Sequence, residues 1–494
     1  LSEYITNAAT LMIITNYLVE LQYRRKLIKL KDNKSILFFL LFFIVHLLWL
    51  INTKNLDFAL HDIIIKLPLF ALPIVIGTSK GITKKQLNII VGVFVSGVFI
   101  STLSGLFVYF KLIENPNPQN LRDVSIFISH IRLSLMVCLS VLILFYYIHE
   151  RKFFVKYNII LAAIIIIWFV GFLMMIQGFT GLISLVIVGW VSLGAKALSE
   201  KKRIRKYIYL LLVVGIPFGI ASYLGVQIKT FYTPTIDQSI PKTNTDYGNT
   251  YYHNTDSRLL ENGNLIYQDI CEKELYSEWS KRSNEKLDGE DANGQSLLHT
   301  LIRYMTSKGY QKDAKGISLL SDEDIRNIEN GFTNYRFAHN QSVNKRIYNI
   351  IWQLDVYAKD GNPSGHSITQ RFEYLKAGTI LAYRNIWFGT GTGDVDDAYK
   401  ALYIEKLSQL DSQYRHRAHN QFLTLFVSFG CIGALICLFA FFFPAISEFK
   451  LSNYYFVVFF LIAVLSMITD DTLETTTGVV FISYFYSLFL WGEK

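Results

Sequence analysis

The stretch RHRAHNQFLTLFVSFGCIG, Arg415 to Gly433, runs from a cationic, histidine-bearing segment straight into a long apolar run. Such a junction places reactive groups at a membrane surface. His419 and Asn420 are followed by nine residues, then Gly430, two residues and Gly433, which predicts a histidine on the first turn of a transmembrane helix. That turn leaves backbone N–H groups unsatisfied and carries the positive end of the helix dipole, so it attracts anions and disfavours a protonated imidazole. Histidine's ordinary pKa of roughly 6.5 already favours the neutral ring at pH 7, and Arg415 and Arg417 push it the same way. The glycines fall about 16 Å further along the helix and would let a neighbouring helix approach closely. The alternative is an interfacial histidine among snorkelling cations.

The chain has 494 residues, 51% of them hydrophobic and 15% aromatic. The apolar residues sit in runs longer than a soluble core needs, so the expected fold is an all-α polytopic membrane protein. Its formal charge of +9 is concentrated in short loops between those runs, where it sets topology and does not point to nucleic acid. Cys138, Cys431 and Cys437 lie in apolar runs and only Cys271 in a polar region, so neither a disulfide framework nor a CxxC zinc site can be built.

About eleven spans of near 20 residues are expected, near 4–20, 35–51, 59–77, 87–110, 126–148, 157–176, 178–197, 207–226, 420–444, 453–469 and 475–491. Basic clusters follow the first, third, fifth and seventh: Arg24 to Lys34, Lys80 to Lys85, Arg151 to Lys156, and Lys201 to Lys206. If the spans alternate, all four are on one side, and the positive-inside rule makes that side cytoplasmic. The first span then runs inward, which implies a further span before Leu1 and twelve in the native chain. On this topology residues 1–226 carry eight spans, 227–418 form one large, mainly helical external domain, and 419–494 carry the last three. His419 faces outward. Helical stretches are expected around Leu298 to Ser307 and Asp322 to Glu329, and no 20 to 50 residue repeat is evident.

Other groups could share that outer face. In SITQRFEYLKAGTILAYRNIWFGTGTGD, Ser367 to Asp394, Arg371 opens an amphipathic helix that is followed by a glycine-rich turn. A GxGxG without a preceding strand is a weak nucleotide signal, so a structural turn is expected. FISHIRLSL, Phe127 to Leu135, places His130 and Arg132 at the outer end of the fifth span. Lys66 lies inside the third span with Asp62 one turn before it, positioned to pair at i, i+4. Asp470, Asp471 and Glu474 cluster in the last external loop, where solvated acids are the commoner outcome. A second AHNQ, Ala338 to Gln341, is followed by neither an apolar helix nor GxxG and serves as a control: its His339 is expected to be an ordinary loop residue.

Histidine, Asn/Ser/Gln, nine residues and GxxG, as in His419, Asn420, Gly430 and Gly433, resembles the signature of the bacterial O-antigen ligase family. Arg371 with Gly389, Gly391 and Gly393 resembles the same family's arginine, helix, proline and GxGxG, although Trp387 stands near the usual proline. A further arginine common in the family, in a pattern like SRTG, is absent from QGFTG, Gln177 to Gly181. Arg132 or Arg415 would have to supply that charge. The resemblance implies a GT-C-like enzyme of the bacterial inner membrane that works on the periplasmic face, with a glycan on undecaprenyl diphosphate as donor and a lipid A-core sugar hydroxyl as acceptor. It also implies an inverting transfer without metal or other cofactor. On that view His419 is the base and Arg371 stabilises the departing diphosphate. Arg132, His130, Arg415, Arg417, Asn420 and Lys66 are candidate substrate-binding groups.

Two alternatives use the same donor: a polysaccharide polymerase and a protein O-oligosaccharyltransferase. The H, nine, GxxG signature favours the ligase over either. A secondary transporter would need interrupted helices and midplane charges in repeated halves, and no such repeat is seen.

Overall fold

The computed structural model describes residues 3–113, 124–150, 156–238, 240–254, 256–338, 343–406, 408–448 and 453–493. Arg151 and Lys152 of the third basic cluster, and the control histidine His339, lie outside the described residues.

Each apolar run becomes helical. In order these are α1 (Glu3–Val19), α2 (Tyr23–Asp32), α3 (Lys34–Leu48), α4 (Leu56–Lys66), α5 (Pro68–Thr78), α6 (Lys84–Tyr109), α7 (His130–Glu150), α8 (Lys156–Met175), α9 (Phe179–Ser199) and α10 (Arg203–Tyr232). The polar stretch adds α11 (Glu272–Trp279), α12 (Leu297–Lys308), α13 (Ala314–Ser318), α14 (Asp322–Glu329), α15 (Val343–Asp360), α16 (Thr369–Arg384) and α17 (Val395–Glu405). The chain closes with α18 (Gln421–Ser447), α19 (Tyr454–Thr469) and α20 (Thr476–Ser487). Sheet is confined, among the described residues, to β1 (Leu260–Glu261) and β2 (Asn264–Leu265).

Among the described residues, 7 helical segments are long and apolar enough to cross a membrane, and Ile159–Met175, Tyr454–Thr469 and Thr476–Gly492 are shorter apolar helices. The first expected span is not among them: α1 is 17 residues long and carries Glu3, Asn7 and Asn16. The third is interrupted without being ended: Pro68 at the first position of α5 has no N–H to continue the hydrogen-bond ladder of α4, but Leu67 between them keeps helical φ and ψ of -52 and -37, and Leu56–Thr78 remains one apolar segment. The interruption falls just after Lys66.

The chain divides into two compact units, Leu1–Val213 with Arg371–Lys494, and Val214–Gln370. Residues 371–418, read from the sequence as part of the external segment, therefore cluster with the apolar helices. In the first unit α18 packs along α3, α7 against α8 and α9, and α20 against α5. Its core is aliphatic and aromatic, including Phe39, Phe429, Phe441, Phe459 and Tyr486.

The second unit has its own core of Leu275, Trp279, Leu301, Met305, Ile325 and Ile328. Helices α12 and α14 match the two expected stretches, and Gly309 ends α12 in a left-handed conformation. The sequence reading missed the hairpin. Asn262 and Gly263 both have positive φ, the two-residue Asn-Gly turn that suits tightly twisted strands.

Candidate functional site

His419 does not lie on the first turn. Helix α18 begins at Gln421, Asn420 is its N-cap, and His419 sits one residue earlier with φ +48. Asn420 accepts from the Leu423 N–H at 2.9 Å, and its Nδ2 donates to the Ile468 carbonyl at 2.9 Å. The cap therefore absorbs the residue expected to bind substrate. It also fixes where the histidine leaves the helix.

Nδ1 of His419 meets Asp470 Oδ1 at 3.2 Å. With the ring neutral, Nδ1–H donates to the carboxylate, and Nε2 has no hydrogen-bond partner among the described residues. Tyr374, one turn along α16 from Arg371, packs its ring 5.6 Å from the imidazole. His416 lies edge-on at 6.2 Å. Burial, followed by the neighbouring His419, lowers the pKa of His416.

Asp470, Asp471 and Glu474 are not solvated loop acids. Asp470 and Asp471 are buried, and each acid meets partners from distant parts of the chain. Asp470 Oδ2 accepts from Nη1 of Arg132, whose Nη2 and Nε donate to the Asp471 carbonyl at 3.2 Å and Thr475 Oγ1 at 3.3 Å. Asp471 accepts from Thr424 Oγ1 at 2.7 Å. Glu474 accepts from Gln421 Nε2 at 2.9 Å, and Gln421 Oε1 accepts from the Leu473 N–H, so α18 and this loop are stitched together. Burial alone would raise the Asp470 pKa, but the hydrogen bond from His419 and the charge of Arg132 outweigh it and hold the carboxyl well below its usual range. Burial, followed by the charge of Glu474, raises Asp471.

Several expected binding groups are already engaged. Lys66 neither snorkels nor reaches out: it is 1% exposed and held by Asp62 and by Glu474 at 3.0 Å. The two carboxylates offset the cost of holding an ammonium so far from water. Arg417 pairs with Asp396 and with Glu474 at 3.3 Å, over the Phe58 ring. Arg132 is 5% exposed and bound to Asp470. Arg415 and Arg371 differ: neither forms an ion pair among the described residues. Arg415 Nε donates to the Leu410 carbonyl at 3.0 Å, and Arg371 Nη1 to the Thr469 carbonyl at 3.0 Å.

His419, Arg415, Arg417, Arg132, Asp470 and Glu474 line one cleft of about 650 Å³, together with His61, His416, Tyr399 and Lys400. Arg371 does not line it. Instead it holds the residue immediately before Asp470. His130 lines an adjoining hollow of about 570 Å³, and Arg132 stands in the wall of both.

The glycines of the two motifs form a single joint. Gly430 interrupts α18 with φ +62, and a Cβ there would lie 2.3 Å from the Trp387 carbonyl carbon. A Cβ on Gly389, at φ +69, would lie 2.4 Å from Ser428 backbone. The opened helix accepts from the turn through Thr390 N to Val427 O and Gly391 N to Ser428 O, both 2.9 Å, and donates back through Cys431 N to Ile386 O at 2.6 Å. The expected close approach at Gly430 is thus made by a turn and not by a second helix. At Gly433 it is the Trp49 ring that comes close.

These features define a polytopic membrane protein in which a half-exposed histidine is tied through a buried aspartate to a buried arginine, beside a cleft whose arginines and Lys400 are matched by the carboxylates of Asp62, Asp396, Asp470, Asp471 and Glu474. Residues 330–438 match the family model described as O-antigen ligase. The match spans Arg371, Gly389, Gly391, Gly393, His419, Asn420, Gly430 and Gly433, and it supports the O-antigen ligase family and a membrane enzyme of the ligase or polymerase type. Asp470, Arg132 and Glu474 lie outside the matched segment. No curated protein matches the chain.

Proposed function

We propose that the protein is an O-antigen ligase-like glycosyltransferase of the bacterial inner membrane. It moves a glycan from undecaprenyl diphosphate to a sugar hydroxyl of lipid A-core on the periplasmic face. The observation that carries this reading is the Asp470 hydrogen bond to Nδ1 of His419, which leaves Nε2 as the acceptor in a cleft that also holds Arg415. Nε2 takes the proton of the acceptor hydroxyl as its oxygen attacks the anomeric carbon. The bond from that carbon to the diphosphate oxygen breaks, inverting the centre.

Asp470 keeps the imidazole in the productive tautomer and stabilises the imidazolium that forms. Positioned base catalysis of this kind contributes about 10² to 10⁴-fold. Arg415 in the cleft meets the charge growing on the diphosphate, since a guanidinium fork suits phosphate oxygens. Arg371 lies outside the cleft's lining, with N–H groups uncommitted among the described residues beyond its bond to the Thr469 carbonyl, and is assigned to the end of the diphosphate that extends past the cleft. Arg132 works through Asp470. In this reading the displacement uses no metal or other cofactor, the arginines carrying the leaving-group charge.

Deleting the gene and profiling surface glycans tests the reading. Lipid A-core without polymer, together with accumulated lipid-linked polymer, is the expected result. Single-repeat addition would mean a polymerase, and an unchanged profile would overturn both.

A further inference from the structure

The unit Val214–Gln370 holds a hollow of about 490 Å³, within the range of small-molecule sites, whose lining includes Tyr252, Tyr267, His299, Asn254, Glu272 and Asp360. No lysine or arginine lines it, which argues against an anionic ligand. Its rings are held by backbone. Tyr252 pairs with Ile270 through hydrogen bonds of 2.7 and 3.1 Å, and the Asn254 N–H donates to the Tyr267 carbonyl at 2.8 Å. Buried Ile270 and Ile302 form the floor. Tyr267 and His299 pack with ring centroids 5.8 Å apart, while Tyr252 is 59% exposed.

The polar tips are uncommitted. Neither tyrosine hydroxyl has a hydrogen-bond partner among the described residues, and neither Glu272 nor Asp360 has an ion pair there. Flat apolar faces beside carboxylate and amide acceptors suit a pyranose, whose C–H face packs on a ring while its hydroxyls donate to carboxylates.

We propose that this hollow is a saccharide-binding subsite, taking an uncharged sugar residue against Tyr252 and Tyr267 with its hydroxyls donating to Asp360 and Glu272. That the sugar belongs to the enzyme's own donor or acceptor rests on the glycosyltransferase reading; that the hollow binds sugar does not.

Saturation-transfer NMR on the full chain in detergent micelles tests it, with maltotriose and N,N′-diacetylchitobiose as probes and spermidine and inorganic phosphate as comparisons. At least one saccharide should receive saturation. The signal should fall about fivefold or more in Tyr252→Ala and in Asp360→Asn, each checked for unchanged thermal unfolding. No saccharide signal, or one that both variants leave intact, overturns the proposal, as does binding of spermidine in place of sugar. His419→Ala should bind the saccharides like the parent chain. If that variant still transfers glycan while the tyrosine-dependent signal persists, the glycosyltransferase mechanism fails and the subsite stands.

Discussion

Both compact units bury carboxylates against arginine, and the two clusters differ in what is left over. In Val214–Gln370, Glu261 is 0% exposed and saturated: Arg303 donates twice to Oε2 at 3.0 and 2.8 Å, and Asn334 and Tyr348 donate to Oε1 at 2.6 and 2.7 Å. In the helical unit, Asp470 is also buried, though at 7% exposure less completely, and one of its two side-chain partners is an imidazole whose side chain is 37% exposed. Buried charge is therefore a poor mark of a working site by itself. An unpartnered nitrogen at the end of a buried chain of charges is a better one.

The sharpest way to break that contrast is to remove one group from each cluster. His419→Ala should reduce glycan transfer by about 10² to 10⁴-fold while the amount of folded protein in the membrane stays unchanged. Normal transfer by that variant would end the case for His419 as the base. Glu261→Gln should do the reverse, lowering stability by about 3–5 kcal/mol because Arg303 loses its counter-charge, with activity per folded molecule preserved. Urea denaturation beside a transfer assay separates the two.

Asp470→Asn probes the join between chemistry and structure. An amide can turn its N–H₂ toward the ring and impose the other tautomer, so turnover should fall by about 10²-fold or more, with a smaller loss of thermal stability as Arg132 loses its charge partner. Turnover matching the parent chain's would make Asp470 a structural residue like Glu261. Arg371→Lys is expected to do less. It keeps the charge and loses the fork, so the KM for the donor should rise about tenfold with stability unaltered. If stability falls and KM does not move, Arg371 serves to hold the Thr469 carbonyl and not to bind diphosphate.

How much of this could be read from the sequence depends on distance along the chain. Apolar runs announce themselves residue by residue, so the helices were legible; among the described residues 7 of the expected spans reach crossing length, three more are shorter apolar helices, and α1 is neither. Arg371, His419 and the glycines were legible because they sit in local patterns. Their relations were not. The His419–Asp470 pair is separated by 51 residues and the Arg132–Asp470 pair by 338, and nothing local distinguishes an acid destined for such a pair from a solvated one. The meeting of Gly389 with Gly430 was hidden in the same way: each glycine predicts close approach, and neither names its partner. The Asn262–Gly263 turn did carry a local signal, but strands of two residues give it little flanking periodicity to stand against.

Acid titration should give the mildest difference between the units, and its sign follows from the buried acids. Asp470 and Glu474 are held below their usual range in the helical unit. In the other unit Asp324 is lowered to about 2: burial pushes it up, and hydrogen bonds from Lys308, Tyr304 and Ser321 outweigh that push. A depressed carboxylate contributes stability that is complete above the unfolded pKa of roughly 4 and drains away as pH falls toward the folded value. Asp471 opposes the trend, since its raised pKa makes the ionised form costly and protonation relieves it. Melting temperature should therefore hold between about pH 7 and 5 and decline below about pH 4. Asp324→Asn should flatten only the share of the decline that comes from Val214–Gln370, and Asp470→Asn only the share from the helical unit. A decline that neither substitution alters would mean that these carboxylates are not the groups whose protonation loosens the fold.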